Sequence, residues 1–379
     1  MSERRRLLLV TRNFPPLWGG MERLNWHLAD QLAKRYAVRI IAPQGAAQQA
    51  PDGMVVREVP LAPLARFLWH AAWAARQEAR VFQPHIVLAG SGLTAPIALW
   101  AARECAARTA AYVHGLDLVV PHPVYRALWL PALRRLDRVI ANSTPTAQLA
   151  RSVGVDAARI GIVHPGVTIP EPNPAARARF RKRWGLPNTA PVLLSVGRLT
   201  ARKGLREFVQ EVLPAVASAR PDVVLAIVGD APTQALYAQP QSPRSILEAA
   251  RSAGVGDRVR LLGTQFGQEL ADAFFGADVH VFPVRDIPGD PEGFGMVAVE
   301  AAAHGLPTVA YATGGVVDAV AEGISGRLVP PGDAAAFAAA VLRALDTPPG
   351  AERCRAFAQG FAWGAFGRGI ERELANGRG

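Results

Sequence analysis

Short apolar runs alternate with helical patterns from one end of this chain to the other, and that alternation restricts the fold more than any other feature. Strands that are apolar along their whole length are covered on both faces, as in parallel α/β sheets. In the first half the strand candidates are Arg6–Val10, Val38–Ala42, His85–Ala89, Ala110–Val113, Arg138–Ala141 and Ile160–Val163, with helices between them. Prolines at Pro165, Pro170, Pro172 and Pro174 then break the pattern, as an interdomain linker does. It restarts at Val192–Val196 and continues through Val223–Val228, Val259–Leu262, Val279–Phe282, Thr308–Ala310 and Arg327–Val329. A chain of 379 residues holds two such α/β, doubly wound domains, expected at 1–168 and 169–360. A last helix over Phe361–Leu374, within 361–379, carries Trp363 and Phe366 as anchors, and the Ala-rich stretch 334–340 reads as a helix capped by Asp333.

Composition narrows the functional classes. The two cysteines, Cys105 and Cys354, are far apart and offer neither a disulfide framework nor a metal-ligand cluster, so a reducing cytoplasm is expected. The apolar run Leu7–Val10 is too short for a secretory signal. The long stretch from Val81 to Ala102 has no charged residue, but Pro84, Gly90-Ser91-Gly92 and Pro96 divide it into strand, turn and helix, which argues against a membrane span. The formal charge of +11 suits an anionic donor, an anionic acceptor or a negatively charged leaflet, and equally a solvated arginine-rich surface. Nucleic acid is not expected, because no basic run is interleaved with stacking aromatics.

The chemistry concentrates in Pro291-Glu292-Gly293-Phe294-Gly295-Met296-Val297-Ala298-Val299-Glu300. Gly293 and Gly295 let a loop bend closely around a ligand, and the apolar run that follows reads as a helix whose first N–H groups are free. Glu292 and Glu300 can accept hydrogen bonds from the hydroxyls of one polyol. Glu300 stands among Val297, Val299 and Ala301, where a charge is costly without a partner or ligand. Arg198 and Lys203 follow the strand Val192–Val196, with Lys203 just before a helix expected over Gly204–Val216, and ligands of parallel sheets bind beyond the carboxyl ends of strands. Two cations there suit a diphosphate; an exposed surface pair is the plainer alternative.

Together with Asn13-Phe14-Pro15-Pro16, Gly19-Gly20, Gly197-Arg198, Lys203-Gly204, Gly305-Leu306-Pro307 and Gly314-Gly315, this segment resembles the Glu-x7-Glu signature of retaining glycosyltransferases of family 4. The resemblance covers most of the chain and implies the GT-B fold, two Rossmann-like domains facing a cleft, with the last helix crossing back to the first domain. It implies a metal-independent transfer of a sugar from a nucleoside diphosphate sugar, a co-substrate rather than a cofactor, to a hydroxyl of a saccharide or lipid-linked saccharide in cell-surface glycan synthesis. It further implies that Arg198 and Lys203 contact the donor diphosphate and that Glu300 binds ribose. Glu292 and the N–H groups of Gly293, Phe294 and Gly295 meet the sugar and phosphate, with Met296 and Val297 beside them. Gly19-Gly20 closes over the phosphate, His114 orients the donor sugar, and Glu22 and Asp117 are candidates for the acceptor side. The motifs lean towards a guanosine diphosphate mannose donor, with uridine diphosphate sugars open.

Other readings compete. Gly90-Ser91-Gly92-Leu93-Thr94-Ala95 satisfies a G-x-G-x-x-A dinucleotide pattern, but the next strand ends in His114 where an acidic ribose ligand is wanted. A sugar-nucleotide epimerase and a non-catalytic sugar-nucleotide-binding protein remain as alternatives. The segment Pro123–Arg138 mixes Tyr125, Leu128, Trp129 and Leu130 with Arg126, Arg134 and Arg135; it reads either as a helix packed on its own sheet or as a peripheral contact with the inner face of an anionic membrane.

Overall fold

The computed structural model describes residues 4–231 and 239–376. The chain divides into two compact units, one running to Gly166 and resuming at Trp363, the other Val167–Ala362. These boundaries lie two residues from those read in the sequence. Phe361 falls in the second unit because its carbonyl accepts the Val167 N–H at 2.7 Å, and the last helix accordingly starts later than expected, at Trp363–Ala375.

The first unit is built on a seven-stranded sheet: β1 (Arg6–Val10), β2 (Ala37–Pro43), β3 (Val55–Val59), β4 (Ile86–Ala89), β5 (Arg108–Val113), β6 (Arg138–Ala141) and β7 (Ile160–Ile162). The order is β3-β2-β1-β4-β5-β6-β7 and every pairing is parallel. Leu8, Val10, Val87, Ala111 and Val139 form a core with Phe67, Ala71 and Ala75 of the helix Leu64–Phe82. The sequence reading missed β3. It pairs on one side only and is largely solvated, so Val-Val-Arg-Glu-Val needs no continuous apolar run.

The second unit repeats the plan with β8 (Val192–Val196), β9 (Val224–Val228), β10 (Val259–Gly263), β11 (Val279–Phe282), β12 (Thr308–Tyr311) and β13 (Gly326–Val329), in the order β10-β9-β8-β11-β12-β13. Chain order reverses between β1 and β4 in one sheet and between β8 and β11 in the other, the positions where open parallel sheets bind ligands. The continuous helix expected over Gly204–Val216 is interrupted. A short α-turn at Leu205–Glu207 widens to a π-turn at Phe208–Val212 before α-helix resumes at Leu213–Ala219. Pro214 has no N–H to return to the preceding turn, which accounts for the widening. Asp333 caps its helix as expected, accepting the Ala336 N–H at 2.8 Å. Between Val81 and Ala102 the chain forms β4, a tight turn and the helix Ala95–Ala102, and among the described residues no helix is long and apolar enough to cross a membrane.

Candidate active site

In the second unit the chain leaves β8 through Gly197, whose φ of 145° belongs to glycine, and reaches the turn Ala201–Lys203. Gly204 follows with φ 68°, and a Cβ there would lie 2.0 Å from the Pro283 carbonyl oxygen, so only glycine lets this turn sit against the end of β11. The turn delivers Lys203 to the Glu292 carboxylate, 2.7 Å from Nζ to Oε2. Arg202 pairs with the same carboxylate and, at 3.1 Å, with Asp290. These side chains are mostly buried, with Arg202 12%, Lys203 16% and Glu292 11% exposed.

The loop that carries Glu292 is braced from behind. Its carbonyl accepts the Gly315 N–H at 2.8 Å, and a side chain on Gly314 or Gly315 would strike the backbone of Glu292 or Gly293. This is the physical use of the Gly314-Gly315 pair. Gly295, at φ 88°, starts the helix Met296–Ala303 and touches Phe282 at the end of β11, and the Lys203 ammonium lies 4.6 Å from the centre of that same ring. Phe282 thus joins the two motif segments by a cation–π contact on one side and a glycine on the other.

Burial works to raise the Glu292 carboxyl, but the charges of Arg202 and Lys203 outweigh it and hold it at about 2. Burial pulls the Lys203 ammonium below its ordinary value, against the opposing pull of Glu292. Arg198 is exposed beside this cluster, contributing a further positive field to both groups. Such an arrangement can hold an anion and shed one internal partner in exchange for it. Because Glu292 has two cations, Lys203 can turn to a phosphate without leaving the carboxylate unpaired.

Of the residues expected from the sequence, Arg198, Lys203, Glu292 and Gly293–Val297 are therefore grouped around the β8 and β11 ends, and Glu300 sits half-buried one turn further along the same helix. The Phe294 side chain is 2% exposed and packs in the core against Phe361, so only its backbone is available to a ligand. Arg202 and Asp290 were not recognised as part of this cluster. The adjacent Arg202-Lys203 pair was its one sequence signal, and only the fold shows which carboxylates it meets.

The first unit places its candidates at the ends of β1 and β5. The helix Gly20–Ala33 begins directly at the exposed pair Gly19-Gly20, and Glu22 folds back against it, so that a Cβ on Gly19 would come 2.3 Å from Oε2. Asn13 donates to the other oxygen of Glu22 at 2.7 Å. His114 donates through Nε2 to the Gly90 carbonyl at 3.0 Å, which fixes the orientation of its ring. Asp117, considered for the acceptor side, accepts the Gly92 N–H at 2.8 Å on one oxygen and the His114 N–H at 3.0 Å on the other, so its carboxylate also ties two loops together. The Gly90-Ser91-Gly92 pattern has the same structural cause. A side chain on Gly90 would collide with Asn25 and Thr11, and one on Gly92 would crowd Asp117.

Comparison with known proteins bears on the family and the fold. Residues 190–347 match the model of Glycosyl transferases group 1, and residues 18–169 match that of Glycosyltransferase Family 4. The chain is 31% identical over 357 residues to a GDP-mannose-dependent alpha-(1-6)-phosphatidylinositol monomannoside mannosyltransferase of Mycolicibacterium smegmatis, covering 90% of each. It is 37% identical over 216 residues to D-inositol 3-phosphate glycosyltransferase 2 of Catenulispora acidiphila, 56% of this chain and 48% of that one. The match thus spans about half the length of that relative. Among solved structures, Anabaena HepE in complex with UDP superimposes with a TM-score of 0.79 at 21% identity, over 98% of this chain and 99% of that one. Sucrose-phosphate synthase of Thermosynechococcus elongatus gives 0.78 at 23% identity, over 97% and 98%. Both likenesses are of fold.

Proposed function

We propose that this chain, which belongs to the family 4 glycosyltransferases and is a glycosyltransferase of GT-B fold, transfers a sugar from a nucleoside diphosphate sugar to an acceptor hydroxyl with retention at the anomeric carbon. The observation that carries the reading is the cation cluster of Arg198, Arg202 and Lys203 around Glu292, where the strand order of the second sheet reverses. Negative charge builds on the departing diphosphate as its bond to the sugar breaks, and fixed cations in a mostly buried setting stabilise that charge without reorganising. In this reading Arg198 and Lys203 take the diphosphate, and Arg202 keeps Glu292 ionised and in place. Glu292 and the amides of Gly293–Gly295 hold the sugar, and Glu300 accepts from ribose.

Retention proceeds by attack on the face the diphosphate leaves, with a phosphate oxygen receiving the acceptor proton. The side chains supply the countercharge, so no metal ion is assigned to the step. The donor leans to a guanosine diphosphate mannose, supported by the name of the relative matched over nine-tenths of both chains; the HepE complex keeps uridine diphosphate sugars in the test. The relatives' printed names point to an inositol-based acceptor, free or lipid-linked.

The experiment incubates the chain with GDP-mannose or UDP-glucose and an inositol phosphate or phosphatidylinositol acceptor, and reads the product by mass and by proton NMR of its anomeric centre. An added hexose with the donor's anomeric configuration, formed at the same rate with chelator present, is expected. An inverted product, or activity abolished by chelator and restored by a divalent metal, contradicts the mechanism. Conversion of donor without acceptor replaces transfer by epimerisation.

A further inference from the structure

Just past the end of β1 the chain runs Thr11-Arg12-Asn13, so Arg12 stands where the strand order of the first sheet reverses, the place where parallel sheets take ligands. The turn that carries it is clamped. Thr11 is fully buried and its N–H continues the sheet to the Ile41 carbonyl at 3.0 Å. Its hydroxyl accepts the Asn13 N–H at 3.0 Å and donates to the Asn13 carbonyl at 3.1 Å. Arg12 is half-buried and its Nε is closed off from solvent, yet it makes no hydrogen bond or ion pair with any described residue. In this it differs from the other half-buried arginines of the first unit. Arg39 and Arg57 share Glu78, Arg76 holds Glu104 and Arg138 holds Glu373, while Arg6, Arg108 and Arg159 bond to backbone carbonyls.

Glu22 does not fill the gap. Its charge reaches Arg12, but one of its oxygens takes the Asn13 amide at 2.7 Å and the other lies against Gly19. Burial pulls the guanidinium below its ordinary value, and Glu22 offsets only part of that. A charge withdrawn from water without a counter-ion is costly, and an anion bound there removes the cost. We infer that Arg12 takes the phosphate of the acceptor, which is therefore a polyol bearing a phosphate monoester or diester. The inference rests on the transferase reading above and names the group by which the acceptor is selected. A guanidinium is planar and always charged, and it meets two phosphate oxygens at once. The ionised Glu22 carboxylate only accepts hydrogen bonds, which suits a ring hydroxyl of the same molecule. A cation and a hydroxyl acceptor beside one strand end together prefer a phosphorylated polyol to a plain sugar. The donor diphosphate is the poorer occupant, because the Arg198 and Lys203 cluster of the second unit already serves it in that reading.

The test compares the full wild-type chain with Arg12→Gln and Arg12→Lys, using inositol, inositol 3-phosphate and phosphatidylinositol in detergent micelles as acceptors. Arg12→Gln is expected to raise KM for a phosphate-bearing acceptor about thirtyfold, as for loss of a charge-assisted pair, and to leave kcat within about threefold. KM for plain inositol, the melting temperature and the binding of GDP and UDP stay as in the wild type, and Arg12→Lys recovers part of the loss. A loss confined to inositol 3-phosphate assigns Arg12 to a free monoester, and one confined to phosphatidylinositol assigns it to a lipid headgroup. Equal KM values for wild type and Arg12→Gln with every acceptor overturn the inference. So does weaker nucleoside diphosphate binding in Arg12→Gln, which gives the residue to the donor, or an equal loss with all three acceptors at a lowered melting temperature, which makes it packing. Calorimetric titration of inositol 3-phosphate with GDP or UDP present reads the same contact when no donor is consumed. Binding that Arg12→Gln abolishes then upholds Arg12 while the transferase reading falls, and binding indifferent to Arg12, or none to the wild type, overturns the inference.

Discussion

The two sheets reverse strand order at equivalent places, β1 and β4 in one unit and β8 and β11 in the other, yet the polar side chains gathered there are held in different ways. In the first unit no ion pairs with another ion among these groups: Asp117 accepts the N–H groups of Gly92 and His114, His114 bonds to the Gly90 carbonyl, and Glu22 accepts from the neutral amide of Asn13. In the second they bond to one another, Arg202 and Lys203 to Glu292 and Arg202 to Asp290. A carboxylate bonded to backbone amides of two loops holds the shape of both. Ions that hold one another can exchange a partner for an incoming charge at small cost. The second arrangement is the one suited to a substrate that arrives as a dianion and leaves more negative still.

If that contrast is sound, removing an ion from the second unit damages chemistry and removing Asp117 damages folding. The largest effect is expected for Lys203→Ala: transfer falls on the order of a hundredfold or more while the melting temperature changes little, as for loss of a donor that stabilises transition-state charge. Near wild-type turnover in a folded Lys203→Ala variant breaks the comparison. Arg202→Gln comes next, with a smaller loss that Arg202→Lys partly restores. It also leaves a signature in pH. The Glu292 carboxyl is held at about 2 against burial by Arg202 and Lys203, so losing Arg202 raises it, and the acid limb of kcat/KM moves to higher pH. A profile superimposable on wild type reduces Arg202 to packing. Asp117→Ala is expected to cost about 2 kcal/mol of stability by stripping two amides of their acceptor, read as a lowered melting temperature. Activity lost with stability intact would show that Asp117 meets substrate after all.

The architecture was legible in the sequence because strands buried on both faces announce themselves as unbroken apolar runs. β3 escaped because an edge strand needs no such run, and the helix after Lys203 was drawn too regular because the proline at 214 acts on the turn before it. In the site, the glycines were the most informative residues. Gly204, Gly314 and Gly315 each stand where a Cβ would strike backbone, so their positions record contacts between distant segments. Which acid each base meets was not legible: Arg202 and Glu292 are ninety positions apart in the chain and are joined only by the neighbouring ends of β8 and β11. Likewise Asp117 looked like a free carboxylate because nothing in its own segment shows that Gly92 will come to it.

The most direct test of the central claim is calorimetric titration of GDP, and in parallel UDP, into the wild-type chain and into Lys203→Ala without added metal. Saturable binding of one nucleoside diphosphate to the wild type, weakened at least about tenfold in the variant, is the predicted result. Binding of neither nucleotide to the folded wild-type chain, or binding indifferent to Lys203, would contradict it.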